Sequence, residues 1–185
     1  MKKYVAWGFI VALVASVSVS RAQEAPELPA PQKEHEWLAQ LVGEWESEFE
    51  AVPDPSQPPV KSKGSESARS IGGFWVVAEN KGDFDGLEFT GLLTLGYDAD
   101  KKRYIGTWVD SMQSYLWTYE GTVDADGKVL TLETEGPCPM RPGQTTNFRE
   151  VLELKSKDHK VFTSSIQMED GSWVTMLTIN YRRKK

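Results

Sequence analysis

RYIGTWVDSMQSYLWTYEGTV, residues 103–123, alternates aromatic and apolar residues with polar ones on a period of two. With a turn over Ser111 to Ser114 it reads as a β-hairpin, Arg103 to Asp110 followed by Tyr115 to Val123. Successive side chains of a strand point to opposite faces, so this register sets Trp108 opposite Trp117, Gly106 opposite Tyr119 and Asp110 opposite Tyr115 on one face. The other face carries Thr107, Thr118 and Glu120. The aromatic face is an interior and the threonine face an exterior.

The flanking segments repeat this pattern between short polar turns. Asp98-Ala99-Asp100-Lys101 joins Leu87–Tyr97 to Arg103–Asp110, Asp126-Gly127 joins Tyr115–Val123 to Val129–Glu135, and Asp170-Gly171 joins Val161–Met168 to Trp173–Tyr181. Lys157-Asp158-His159 closes another hairpin, between Thr145–Leu154 and the strand that starts at Val161. Upstream, Gly72-Gly73 turns a polar strand, Val60–Ile71, into Phe74–Asn80. Trp45, Ser47 and Phe49 begin the first strand, which the Pro53 to Pro59 loop interrupts. Before it, Lys33 to Val42 places Trp37, Leu38, Leu41 and Val42 at helical spacing, and Gly43 ends the helix. A short N-terminal helix and about ten strands, each beside its neighbour in sequence, predict an all-β fold: a single antiparallel up-and-down β-barrel. Closure removes the sheet edges that would otherwise template aggregation.

The interior parity extends to Phe89, Leu93, Leu95 and Tyr97 on one side and to Leu130, Leu132 and Thr134 on the other. In the later hairpins Phe148, Glu150, Leu152, Thr163, Ser165 and Gln167 share it. A fully packed core would not select so many polar groups, because each buried one left unpaired costs roughly 1–3 kcal/mol. The pattern predicts a partly hydrated cavity.

The rest of the chain sets the context. Lys2 and Lys3 precede an apolar run from Tyr4 to Val19, and Ser20-Arg21-Ala22 supplies small residues where a signal peptidase reads, so residues 1–22 are expected to be a signal peptide cleaved before Gln23. The run is marginal in length for spanning a bilayer, and no stable membrane anchor is expected after cleavage. Residues 23–32, with Pro26, Pro29 and Pro31, read as an extended linker, and 33–185 as the barrel domain. Cleavage removes three positive charges and no negative one, moving the formal charge from −6 to −9. That surface argues against nucleic acid and anionic membrane as partners, with the basic ending Arg182-Arg183-Lys184-Lys185 read as a solvated chain end. The expected location is periplasmic or secreted. Cys138 is the sole cysteine, so no internal disulfide forms, and its Gly136-Pro137-Cys138-Pro139 setting marks a spectator thiol.

Gly43-Glu44-Trp45, just after a short helix and opening the first strand, resembles the lipocalin glycine-x-tryptophan signature. That resemblance implies that Trp45 plugs the closed end of the barrel with Arg182 or Arg183 packed across it. A second resemblance covers nearly all of the chain after Gln32. It is carried by Lys33-Glu34-His35 with Trp37-Leu38, by Leu41-Val42-Gly43-Glu44-Trp45, and by Ser70-Ile71-Gly72-Gly73-Phe74-Trp75-Val76-Val77. Thr94-Leu95-Gly96-Tyr97-Asp98, Tyr104-Ile105-Gly106-Thr107-Trp108, Leu130-Thr131-Leu132-Glu133-Thr134-Glu135-Gly136-Pro137 and Tyr181-Arg182-Arg183-Lys184 continue it in order. These stretches resemble the bacterial family called domain of unknown function 1579. The resemblance implies a lipocalin-like barrel and transfers no activity.

Three function classes fit these residues. The first is a binding protein for a small apolar or aromatic molecule, with Trp108, Trp117 and Tyr119 as walls and Asp110, Glu150, Ser165 and Gln167 as orienting groups. The second is a structural or protein-interaction module, in which the same aromatics are ordinary packed core. The third is an enzyme using Asp110 and Glu150 as an acid pair, whose pKa values an apolar barrel would shift apart. No serine sits in a nucleophile elbow and no Cys/His spacing suggests zinc. Haem ligation is disfavoured, because His159 falls in a hairpin turn and His35 in the first turn of the helix. No cofactor, metal or catalytic residue is expected, and binding is the leading reading.

Overall fold

The period-two pattern builds ten strands. The computed structural model describes residues 30–51, 58–84 and 86–185; the expected signal peptide, residues 23–29 of the linker and 53–57 of the proline-rich loop lie outside the described residues. The elements run α1 (Lys33–Ala39), β1 (Gly43–Ala51), β2 (Val60–Ile71), β3 (Trp75–Phe84), β4 (Leu87–Asp98), β5 (Arg103–Asp110), β6 (Gln113–Val123), β7 (Val129–Pro137), β8 (Thr145–Ser156), β9 (His159–Gln167) and β10 (Trp173–Arg183). Each strand pairs antiparallel with the next, and β1 also pairs with β10, so the up-and-down meander closes into a barrel.

The helix is shorter than its apolar spacing predicts. It ends at Ala39, and the amides of Leu41 and Val42 bond back to Leu38 and Ala39 in a tighter turn. Gly43 then takes φ 134°, and a β-carbon there would collide with the guanidinium of Arg183. The helix lies across one end of the barrel. Trp37, Leu38 and Leu41 are buried there, and full burial of such a side chain is worth about 1.5–3 kcal/mol. Polar contacts fix the helix in place: the Trp37 indole donates to the Gly127 carbonyl (2.9 Å) and the Tyr104 hydroxyl to the Glu34 carbonyl (3.2 Å). His35 completes the first turn, its Nδ1 accepting the Gln32 amide at 2.9 Å.

Trp45 sits beneath the helix, 1% exposed, its indole donating to the Leu41 carbonyl at 3.0 Å. The Arg183 guanidinium lies 4.1 Å from the centre of its ring and donates to the carbonyls of Val42 (2.7 Å) and Gln40 (3.1 Å). Of the two arginines that the lipocalin resemblance allowed, Arg183 packs across the tryptophan.

Two β-bulges depart from the registers read off the sequence. Trp108 pairs with Trp117 and Gly106 with Tyr119, but Asp110 pairs with Gln113 instead of Tyr115. Asp110 itself tightens the turn, its Oδ1 accepting the Met112 amide at 2.8 Å, so that Ser111 and Met112 make the connection and β6 carries the excess residues. The second bulge has the larger effect. Ser156 pairs with His159 across Lys157-Asp158, yet Leu154 already pairs with Lys160, which leaves Lys155 as an extra residue in β8. One extra residue exchanges the faces of the facing strand. Glu150 therefore faces Ser164, and Lys160, Phe162, Ser164 and Ile166 take the inner parity that Thr163, Ser165 and Gln167 were expected to hold.

Candidate functional site

The inner face encloses a cavity of about 310 Å³. Its wall is mainly aliphatic and aromatic, with Phe89, Leu93 and Leu95 from β4, Leu130 and Leu132 from β7, Phe148 and Leu152 from β8, and Leu177 and Ile179 from β10. Of the predicted site residues, Trp108, Asp110, Trp117, Tyr119 and Glu150 line it. Ser165 and Gln167 do not: the Ser165 hydroxyl pairs with Thr175 (3.1 Å), and the Gln167 amide with Asn147 (2.9 Å) and the Gly171 carbonyl (3.4 Å), on the outer face. The Lys155 bulge is the physical reason, and it brings Ser164 to the cavity in place of Ser165.

The aromatic wall is held by close packing. Trp117 meets Phe148 edge-on at 4.7 Å and Tyr115 at 4.9 Å, while Phe89 stacks on Trp108 at 6.1 Å. Trp117 leans over Gly136 of the adjacent strand, where any β-carbon would overlap the indole. The Trp108 ring is oriented by its Nε1, which donates to Asp110 Oδ2 at 2.8 Å. Asp110 also accepts from Met112 and Gln113, so its carboxylate is committed to a ring and a turn. That commitment weakens the acid-pair reading, in which Asp110 would be free to exchange protons.

Glu150 is the opposite case. It is 5% exposed; one oxygen accepts the Ser164 hydroxyl at 3.0 Å, and the other has no hydrogen-bond partner among the described residues. Burial pushes its carboxyl up to about 8, with the Ser164 bond pulling the other way. At neutral pH the group is mostly the uncharged acid. Burial, then the nearby Glu150 and Asp110, also raise the Tyr119 phenol above its ordinary range.

Toward α1 the cavity wall holds a buried ion pair that the sequence reading missed. The Lys160 ammonium meets Glu66 at 2.5 Å, with the Trp45 ring 4.4 Å and the Tyr181 ring 4.8 Å from it. Burial pulls the Lys160 pKa down and Glu66 offsets part of that. Close by, the Tyr181 hydroxyl donates to Asn80 Oδ1 at 3.2 Å. The pairing of Trp45 with Glu66 across β1 and β2 was the available signal, since it makes Glu66 and Ala68 the inward positions of an otherwise polar strand. The long loop between those strands hid that register.

Neither histidine lines the cavity: His35 caps α1 and His159 Nε2 lies 3.3 Å from Asn180 Oδ1. Among the described residues no group of three or more His, Cys, Asp or Glu side chains is placed to hold a metal. Cys138 is buried in the β7–β8 loop, with Arg141 Nε 3.5 Å from its sulfur.

A family model described as "Protein of unknown function (DUF1579)" matches residues 30–183. No curated protein matches the sequence. Among solved structures, Rv2717c from M. tuberculosis is similar in fold at 12% identity and a TM-score of 0.60, over 84% of this chain and all of that one. The S-type phycobiliprotein lyase CPES from Guillardia theta is similar at 15% identity and a TM-score of 0.53, over 85% of this chain and 99% of that one. At such identities the likeness extends to the fold alone.

Proposed function

Since this chain belongs to the DUF1579 family, whose description assigns no activity, we propose its function from the cavity: it binds a small apolar or aromatic molecule inside the barrel. The observation that carries this reading is the apolar chamber of about 310 Å³ with a few inward polar groups. Ligand sites combine those two features, and the volume is about twice the ~150 Å³ of an apolar cavity that holds benzene. A barrel of similar fold works as a phycobiliprotein lyase in Guillardia theta, which supports a small-molecule partner for this architecture. Trp108, Trp117 and Tyr119 form the wall of the site, and Glu150, Ser164 and Asp110 supply its polar contacts.

An apolar aromatic probe should quench or shift the fluorescence of Trp108 and Trp117 with a saturable isotherm, and Trp117→Leu should weaken it. Were the interior only packed core, Trp117→Leu would lower stability by a few kcal/mol while a screen of fatty acids, aromatic acids, isoprenoids and haem found no saturable binding to the parent. That outcome would replace the binding reading with the structural or interaction module.

We also propose that the protein works outside the cytoplasm, periplasmic or secreted, with residues 1–22 as a cleaved signal peptide and 23–32 as the linker to the barrel. Lys2, Lys3 and the apolar run from Tyr4 to Val19 support this reading. N-terminal sequencing of protein recovered from the cell envelope should begin at Gln23. An intact Met1 would remove the export claim.

A further inference from the structure

The charged groups in the cavity wall differ in how far they are already satisfied. Glu66 is occupied by Lys160 at 2.5 Å, and Lys160 by Glu66 together with the Trp45 and Tyr181 rings. Asp110 accepts from the Trp108 indole, the Met112 amide and the Gln113 side chain. Among the described charged groups of the wall, Glu150 alone keeps an oxygen with no partner among the described residues, at 5% exposure. A buried carboxyl left this way is penalised unless something fills the gap. A guest in this cavity therefore meets one uncommitted acidic group and no uncommitted cation.

The neighbours of Glu150 add a second preference. Phe148 precedes it by two residues on the same inner face, Trp117 meets Phe148 edge-on at 4.7 Å, and Tyr119 is close enough to feel the Glu150 charge. Aromatic faces attract cations through their quadrupoles, more strongly where water is excluded. We propose that the guest is an organic ammonium compound, its cationic nitrogen donating to the open oxygen of Glu150 and its apolar body lying among Trp117, Phe148 and Tyr119. This rests on the binding reading and narrows it to one ligand class.

An ammonium head supplies both things that Glu150 lacks. It brings a donor to the unpartnered oxygen, and it brings a charge that lets the carboxyl ionise in place. Binding then follows R–NH3⁺ + Glu150–COOH → R–NH3⁺···⁻OOC–Glu150 + H⁺, with the proton leaving to solvent. A carboxylate guest gains neither: it would keep Glu150 un-ionised with only a hydrogen bond from that acid, and Lys160 in the wall is already paired with Glu66. A neutral guest fills the volume but does not stabilise the ionised acid.

Three probes of one shape separate these cases: 2-naphthylmethylamine, 2-naphthalenemethanol and 2-naphthoate, each titrated into the full chain at pH 6.5 and at pH 8.5 by calorimetry and tryptophan fluorescence. At pH 8.5, where little of the Glu150 proton remains to be displaced, the amine should bind tighter than the alcohol by roughly tenfold, the gain expected of a charge-assisted hydrogen bond, with a smaller preference at pH 6.5 and the naphthoate weakest of the three. In Glu150→Gln the amine-to-alcohol ratio should fall to about one, with folding of the variant checked by circular dichroism. Proton release gives a test on the parent protein that needs no variant. Titration of the amine in buffers of different ionisation enthalpy should show a proton released, and titration of the alcohol none. Asp110, Tyr119, Glu66, Lys160 and Tyr181 are the other ionisable groups in the wall, and since all are kept in Glu150→Gln, proton release that disappears in that variant comes from Glu150. Equal binding of amine and alcohol at pH 8.5, tightest binding of the naphthoate, or amine uptake at pH 6.5 without proton release would overturn the ammonium assignment and leave the binding reading standing. If none of the three probes binds and the wider screen is also empty, both fall.

Discussion

At pH 9 the Glu150→Gln protein should be more stable than the parent by roughly 3–5 kcal/mol, and at pH 5 the two should lie close together. In the folded chain burial raises the Glu150 carboxyl from 4.5 to about 8, so between those values the native state keeps a proton that the unfolded chain has released. Its contribution is fully present below pH 4.5 and is lost as the pH climbs through about 8. A glutamine side chain at this position would occupy nearly the same volume without titrating, so this loss disappears. Thermal melts of both proteins from pH 5 to pH 9 provide the check, and parallel curves across that range would show that Glu150 ionises freely.

Replacing Trp45 with Ala should lower stability by roughly 3–5 kcal/mol and the melting temperature by roughly 10 °C. The indole fills the space under α1, donates to Leu41, and lies between the Lys160 ammonium and the Arg183 guanidinium. Truncation empties a site that has little freedom to collapse, because β1 and β10 meet there to close the barrel. It also removes an aromatic face from a buried ammonium paired with Glu66. A melt within about two degrees of the parent would show that Trp45 is not the plug of the closed end.

The architecture was legible because its signals are local. Asp-Gly turns and the alternation of 103–123 each need only a few neighbouring residues, and the ten-strand meander follows from them. The aromatic wall was legible for the same reason, since Trp108 and Trp117 face each other within one hairpin. What escaped depended on bulges and on distant pairings. Lys155 is an ordinary residue that nothing in the sequence marks as extra, yet it decides between Ser164 and Ser165. The Glu66–Lys160 pair joins residues 94 positions apart, on strands that lie on opposite sides of β1 and β10 in the strand order. No periodicity within either strand reports such a meeting.

The extra residue in the β8–β9 hairpin also constrains how this chain can diverge. Surface hairpins ordinarily tolerate length changes, because a gained or lost residue alters only the exposed turn. Here deleting Lys155 would leave the inner face unchanged, since the Leu154–Lys160 and Ser156–His159 pairs would then follow one another directly. Drawing it into the ladder with Ser156 still opposite His159 would instead rotate β9 by one position and present Val161, Thr163 and Ser165 to the interior where Lys160, Phe162 and Ser164 now stand. Glu66 would lose its partner and Glu150 its hydroxyl together. Related sequences that keep the same chamber should therefore confine length changes within β8 and β9 to this bulge, while the turns drift in length. An alignment that places a gap here without regard to the bulge would match interior residues of one protein to exterior residues of the next.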